Sequence, residues 1–325
     1  MRYTSTIASI IVVATLLVGC GADSHMKKGD KFFALGEYYD AANQYKKAYS
    51  ATAPKERATR GQRALKLAEC YRRINYTQRA IAAYNNAIRY NQADSMTHLR
   101  LAQQQMKAGS YKEAAKNFQA ALDSLPGNRL AANGLKAARM APEWKEQGSQ
   151  YTVKRENFFN SRRADYSPML AGDNNDQLYF TSTRTEVKGD ELSGITGTKN
   201  GDIFVSTKDE NGKWTKPQDI DTELNSEFDE GACSFSPDGK TMYLTQCTTD
   251  PQYPRYATIC TSTRSDASWG KSTTLELTKD TLSSYAHPAV SPDGEWLYFT
   301  SDMPGGMGGL DIWRVRLTAA GVGGV

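Results

Sequence analysis

Three spacings of apolar residues follow one another along the chain. Residues Ile7 to Val18 form a nearly unbroken apolar run that is too short to span a bilayer. From residue 26 to residue 140, small and aromatic residues recur at helical intervals: Ala41, Tyr45, Ala48; then Ala80, Tyr84, Ala87; then Ala114, Phe118, Ala121. Each set lies on one helix face, where the alanines admit a close neighbour and the ring fills the gap above them. Upstream partners are predicted at Gly29 with Phe32, at Leu67 with Ala68 and Tyr71, and at Leu101 with Ala102. Gly36 and Gly109 predict turns between paired helices, Pro126 closes the third unit, and residues 128 to 140 predict a capping helix. The breaks at Gly36 and Gly109 and the lack of a heptad argue against a coiled coil.

Beyond a linker at 142–152 the spacing becomes alternating, which predicts strands from residue 153 onward. "SFSPDGKTMYLT" from Ser234 and "AVSPDGEWLYFT" from Ala289 are near-copies, and a worn copy, "LAGDNNDQLYFT" from Leu170, precedes them. In the complete copies Pro presets a tight turn and Gly relieves it, so each copy predicts two antiparallel strands. "DIFV" at Asp202, "TICT" at Thr258 and "DIWR" at Asp311 continue in phase as third strands, and Trp214 and Trp269 open the approach to a fourth. Four strands per repeat describe a propeller blade; with about three blades, short of the usual four to eight, the chain is expected to be a truncated product or a fragment.

The helical period, read from Ala41 to Ala80 and from Ala80 to Ala114, lies close to that of tetratricopeptide repeats, and "ALGEYYDAANQYKKA" resembles such a repeat. The S-P-D-G, L-Y-F-T-S and D-I-W strings resemble the WD40-like propeller repeat of TolB-type periplasmic proteins. The expected fold is therefore α + β and multidomain, a helical solenoid at 27–141 followed by an incomplete propeller at 153–325. Such a solenoid presents a protein-binding groove, for which Asn43, Lys47, Asn85, Asn86 and Lys116 are the candidate positions.

Arg2, the apolar run and the ending Leu17-Val18-Gly19-Cys20 resemble the signal peptide and lipobox of bacterial lipoproteins. That resemblance implies a signal peptide at 1–19, cleavage between Gly19 and Cys20, lipid on Cys20 and a short linker at 20–26. Several acyl chains anchor far more firmly than one. Gly21 in place of Asp implies sorting to the outer membrane.

Composition sharpens the division. Residues 21–150 carry 22 Lys and Arg against 11 Asp and Glu, whereas residues 151–325 carry 17 against 25. A basic first half on an exported, anchored chain points to lipid head groups, cell wall or an acidic protein rather than nucleic acid. Cys247 and Cys260 fall on predicted neighbouring strands and are within pairing range, although the irregular spacing of Cys70, Cys233, Cys247 and Cys260 favours unpaired thiols.

Catalytic motifs are missing: the chain has no GxSxG elbow, Walker loop, HExxH or dinucleotide-binding fingerprint. The loop from Thr185 to Asn200, with Asp190 and Glu191, has irregular spacing for calcium and reads as a surface excursion. Asp202 and Asp311 recur as capping carboxylates rather than a catalytic pair, and the Gly305–Gly309 run lies between strands, not before a helix as a phosphate cradle would. No cofactor and no metal are expected.

Lipobox, helical hairpins and propeller, in that order, resemble a family of Bacteroidetes outer-membrane lipoproteins of the type IX secretion machinery that continue into an OmpA-like peptidoglycan-binding domain. The resemblance implies a non-enzymatic periplasmic scaffold with protein partners, a membrane anchor, and peptidoglycan contact only through a domain this sequence does not contain. Two alternatives are an envelope-integrity lipoprotein of TolB and Pal type and the regulatory propeller of a peptidase.

Overall fold

The computed structural model describes residues 21–220, 223–248, 256–265, 268–280, 282–318 and 321–323; Gly19 and Cys20 lie outside them. The chain divides into two compact units, residues 1–153 with 194–197, and residues 154–193 with 198–325. None of the described helices is long and apolar enough to cross a membrane.

The first unit is helical. Residues 21–34 (α1) pair with α2 (Tyr38–Ala51), α3 (Arg57–Arg73) with α4 (Thr77–Arg89), and α5 (Thr97–Lys107) with α6 (Tyr111–Ser124); α7 (Arg129–Gln147) packs on α6 and α5. The predicted stripe is the core: Ala41, Tyr45, Ala48, Ala80, Tyr84, Ala87, Ala114, Phe118 and Ala121 are all buried. Small residues on one helix sit under rings from another. A Cβ on Gly29 would lie 2.5 Å from the Tyr45 ring, and one on Gly134 would lie 2.4 Å from the ring of Phe118. Gly36 and Gly109 adopt φ of +79° and +73° just before α2 and α6, as predicted, and Asn75 takes the same turn before α4 with φ +57°. Asparagine tolerates this left-handed conformation better than most residues, which is why the middle hairpin turns without glycine.

The capping helix differs from expectation at its end. It continues through Pro142 to Gln147 instead of stopping where the linker was placed, and Gly148, φ +68°, terminates it. Proline removes one backbone donor near the end of a helix, a local cost that a single turn absorbs.

The second unit is built of three antiparallel sheets in chain order. The first runs β1 (Asp165–Ala171), β2 (Gln177–Ser182), β3 (Asp202–Thr207), β4 (Gln218–Asp219). The second runs β5 (Asp229–Phe235), β6 (Thr241–Thr248), β7 (Tyr256–Ser265), β8 (Ser268–Trp269), with β9 (Thr273–Thr274) also pairing β7. The third is β10 (Tyr285–Val290), β11 (Trp296–Ser301), β12 (Asp311–Thr318), β13 (Gly321–Val322).

Both S-P-D-G segments make the predicted turn. Gly239 N–H donates to the Ser236 carbonyl at 2.8 Å and Gly294 N–H to that of Ser291 at 2.9 Å, with φ of +66° and +75°. Asp238 and Asp293 accept from the serine hydroxyls at 2.6 and 2.5 Å, closing each turn internally. In the worn copy Asn175 occupies the glycine position with φ +50°.

One core, with Tyr179, Ile203, Met242, Leu244 and Trp269, lies between the first and second sheets; a second, with Ile259, Tyr285, Leu297, Phe299 and Val315, lies between the second and third.

Candidate functional site

In the helical unit a charge ladder runs along the first helix of each pair. Asp30 of α1 accepts from the Tyr45 hydroxyl at 2.7 Å and from Lys66 Nζ of the next pair at 2.5 Å. Glu69 of α3 repeats the pattern, accepting from Tyr84 at 2.5 Å and pairing with Arg100 of α5 at 3.2 Å. Burial alone would raise the Asp30 carboxyl, but the bonds from Lys66 and Tyr45 outweigh it and hold it below the usual range. Burial and the carboxylate partners push both phenols well up. Half-exposed pairs such as Lys66–Asp30 add little stability; each links a first helix to the first helix of the next pair.

Arg73 is exposed and lies over the rings of Phe33 and Tyr38, at 5.3 and 4.8 Å, while exposed Lys107 donates to Asn75 at 3.0 Å. Both occupy the same position of successive first helices, at the C-terminal ends of α3 and α5.

The sequence-predicted positions fall on the second helices. Asn43 and Lys116 occupy equivalent places on α2 and α6; Lys47, Asn85 and Lys116 are exposed, and Asn86 accepts from Arg89. They therefore form a surface separate from the ladder on α1, α3 and α5. The ladder was not legible in the sequence because its partners belong to different helix pairs, Lys66 with Asp30 and Arg100 with Glu69. The signal available was a cation at Lys27, Lys66 and Arg100 in the same phase as the alanines.

In the sheet unit, the organising device is a bulge in the first strand of every sheet. The pairing register shifts between Tyr166 and Met169, between Gly231 and Ser234, and between Ala286 and Ala289. At each bulge a non-glycine residue is left-handed: Ser167, Ala232 and His287, with φ of +52°, +47° and +56°. The preceding sheet latches the second and third of these. Thr181 Oγ1 accepts the Ala232 N–H at 3.1 Å, and Thr245 Oγ1 accepts the His287 N–H at 2.9 Å. The two threonines hold the same place in the Y-F-T and Y-L-T strings, so the repeats themselves carry this signal.

At the loop end of the first two sheets lies a buried acidic cluster. Asp202 and Glu230 are 0 % and 1 % exposed. Asp202 Oδ2 accepts the Lys188 N–H at 2.7 Å, while its Oδ1 has no hydrogen-bond partner among the described residues. Burial, reinforced by the negative fields of Glu230 and Asp219 against the Lys188 backbone bond, pushes the Asp202 carboxyl up to about 7. Asp311 repeats the capping role, accepting N–H groups of Met307 and Gly308 at 2.7 and 3.0 Å. That carboxylate already occupies two of the loop amides that a phosphate cradle at Gly305–Gly309 would need.

Asp190 pairs with Lys199 at 3.0 Å within its loop, and no group of three or more metal-ligating side chains is placed to hold an ion among the described residues. Cys247 and Cys260 do not join: Cys260 faces Leu244 and Cys247 faces Ala257, which places the two thiols on opposite sides of the sheet. Burial pushes the thiols of Cys70 and Cys233 up to about 12.

No protein-family model matches the chain, and no curated protein sequence matches it. Among solved structures, the chain is similar to the first TPR domain of human RPAP3 at 24 % identity over 40 % of this chain and 98 % of that one, with a TM-score of 0.33. A C-terminal TPR-containing domain of a putative FK506-binding protein from Plasmodium falciparum is 19 % identical over 40 % and 94 %, TM-score 0.37. The Arabidopsis OM64 TPR domain is 22 % identical over 38 % and 97 %, TM-score 0.33.

Proposed function

We propose that this chain is a lipid-anchored, non-enzymatic scaffold of the periplasmic side of an outer membrane, PorE-like in organisation and serving the type IX secretion machinery. The observation that carries the reading is the order of parts: an apolar run ending Leu17-Val18-Gly19-Cys20, then stacked helical hairpins, then repeated four-stranded sheets. Helical stacks with a repeating surface recognise other proteins along their length. Here the basic first half favours acidic protein segments or anionic head groups near the anchor. The three sheets are read as blades of a WD40-like propeller, each latched to the next through a threonine and a bulge. Contact with peptidoglycan in this scheme belongs to an OmpA-like domain, as in the family it resembles.

Metabolic labelling with palmitate, read with membrane fractionation, tests the anchor. The wild-type chain is expected to label and to sediment with outer membranes, and Cys20→Ala to do neither. Unchanged labelling of the variant would overturn the lipoprotein reading.

A further inference from the structure

Two positions fill the turn end of the junction between the second and third sheets, and at the junction between the first and second sheets both are changed. Gly294, in the turn of the third sheet, would place a Cβ 3.0 Å from Pro237 in the turn of the second, so these two turns touch. At the first junction the matching residues are Asp173 and Gly239, and a Cβ on Gly239 would meet nothing within 4 Å. The other position lies at the end of the third strand and is marked by one backbone bond. Leu317 N–H donates to the Glu295 carbonyl at 2.7 Å, and Arg264 N–H donates to that of Lys240 at 2.9 Å. Leu317 packs against the core between the second and third sheets, whereas its counterpart Arg264 brings a charge to the first junction.

Without the proline contact, a cleft of about 320 Å³ remains between the worn turn and the Ser236–Gly239 turn. Its inner wall is aromatic, with ring centroids 4.8 Å apart for Tyr179 and Phe235 and 5.7 Å apart for Phe235 and Trp269. Half-buried Arg264 holds its guanidinium 5.4 Å from the centroid of the Trp269 ring and pairs with no carboxylate among the described residues. A guanidinium stacked on a ring keeps its in-plane N–H groups for a ligand. The Tyr179 hydroxyl donates to Gln177 Oε1 at 3.0 Å; burial pushes this phenol up, against the opposite pull of Trp269 and Arg264 beside its oxygen. Asp173 and Asp238 stand exposed on the two turns that form the mouth. One oxygen of Asp238 accepts the Ser236 hydroxyl at 2.6 Å and the Lys240 N–H at 3.1 Å, bonds that hold the carboxyl below its usual range and leave the other oxygen to the cleft mouth.

We propose that this cleft binds a small zwitterion of the amino-acid or short-peptide class, with its carboxylate on Arg264 and its ammonium at Asp173 and Asp238. The planar guanidinium matches a carboxylate through two parallel N–H···O bonds. Two carboxylates at the mouth repel a simple anion, and a ligand that also carries a cation turns that repulsion into attraction. The aromatic wall takes the short aliphatic part, and the volume lies at the small end of ligand pockets, which suits one or two residues. The site needs only the first and second sheets, and it is independent of the anchor and of the scaffold role.

The test uses the full chain in detergent micelles and saturation-transfer NMR, with the dipeptide alanyl-alanine as the probe at millimolar concentration. Alanyl-alanine is expected to bind, and its N-acetyl and C-terminal amide forms, each lacking one charge, to bind about tenfold more weakly or worse. Arg264→Gln removes the partner of the carboxylate and Asp173→Asn one partner of the ammonium, and each should weaken the probe by a similar factor. Arg264→Lys keeps the charge, loses the fork and should fall between wild type and Arg264→Gln. Asp173 is exposed on a turn, so Asp173→Asn reports on the site at an unchanged melting temperature even where Arg264→Gln perturbs the sheet. Absence of saturation transfer to alanyl-alanine overturns the proposal. So does transfer that survives both substitutions, which would place the ligand elsewhere, or equal binding of the blocked forms, which would mean that the charges are not read. Transfer to glucose and not to the dipeptide would overturn it as well, since the cleft would then be a sugar site.

Discussion

Replacing Thr181 by valine removes one acceptor and almost nothing else. The side chain is 1 % exposed, its Oγ1 takes the Ala232 N–H at 3.1 Å, and a Cβ on neighbouring Gly231 would sit 2.4 Å from the same oxygen, so no room remains for water. Valine keeps the shape and leaves a buried donor unpaired, at a cost of about 1–3 kcal/mol. For a domain of this size each kcal/mol moves the melting temperature by about 2–4 °C, which gives a fall of about 2–12 °C. Differential scanning calorimetry on the full chain reads the shift, and amide hydrogen exchange should show lost protection at Ala232. Thr245→Val, facing His287 N–H at 2.9 Å, is expected to behave alike. Thr181→Ser keeps the acceptor and should retain the protection. Exposed Thr263→Val is the control and should stay within about 0.5 kcal/mol of wild type. If Thr181→Val melts with that control, the latch does not join the sheets and the reasoning fails.

Three further outcomes follow from the same geometry. Asn75→Gly should leave the stability of the helical unit unchanged or raised, whereas Asn75→Ala should lower it by about 1–2 kcal/mol in urea melts followed by circular dichroism, because φ is +57° there. Gly134→Ala, whose Cβ would lie 2.4 Å from the Phe118 ring, should cost about 1–3 kcal/mol in the same assay by forcing α6 and α7 apart. Asp202, pushed up from 3.8 to about 7, binds a proton in the folded chain that the unfolded chain releases. Its stabilising contribution is therefore full below the ordinary value and lost as pH rises through 7; Asp202→Asn should flatten that decline in melting temperature between those limits.

The elements that were legible in the sequence are those whose cause is local. Alanine and aromatic residues on one helix face announced the hairpins, and Ser-Pro-Asp-Gly announced the turns, because close packing and backbone conformation each demand particular residues at short spacing. The illegible parts depend on partners far along the chain. Lys66 meets Asp30 only after folding, and Ser167, Ala232 and His287 are left-handed without being glycine. Pro142 misled in the other direction, since its cost falls on one turn and α7 runs on to Gln147. The groove candidates Asn43, Lys47, Asn85, Asn86 and Lys116 lie on the second helices, apart from the charged ladder on α1, α3 and α5.

The central claim, an anchored scaffold that holds other machine components, is tested most directly by cross-linking mass spectrometry on intact cell envelopes followed by outer-membrane isolation. The chain is expected in the outer-membrane fraction, with cross-links to secretion subunits from lysines of the helical unit such as Lys47, Lys107 and Lys116. Recovery of the chain in the soluble fraction, or an outer-membrane chain with no cross-link to any secretion subunit, would contradict it.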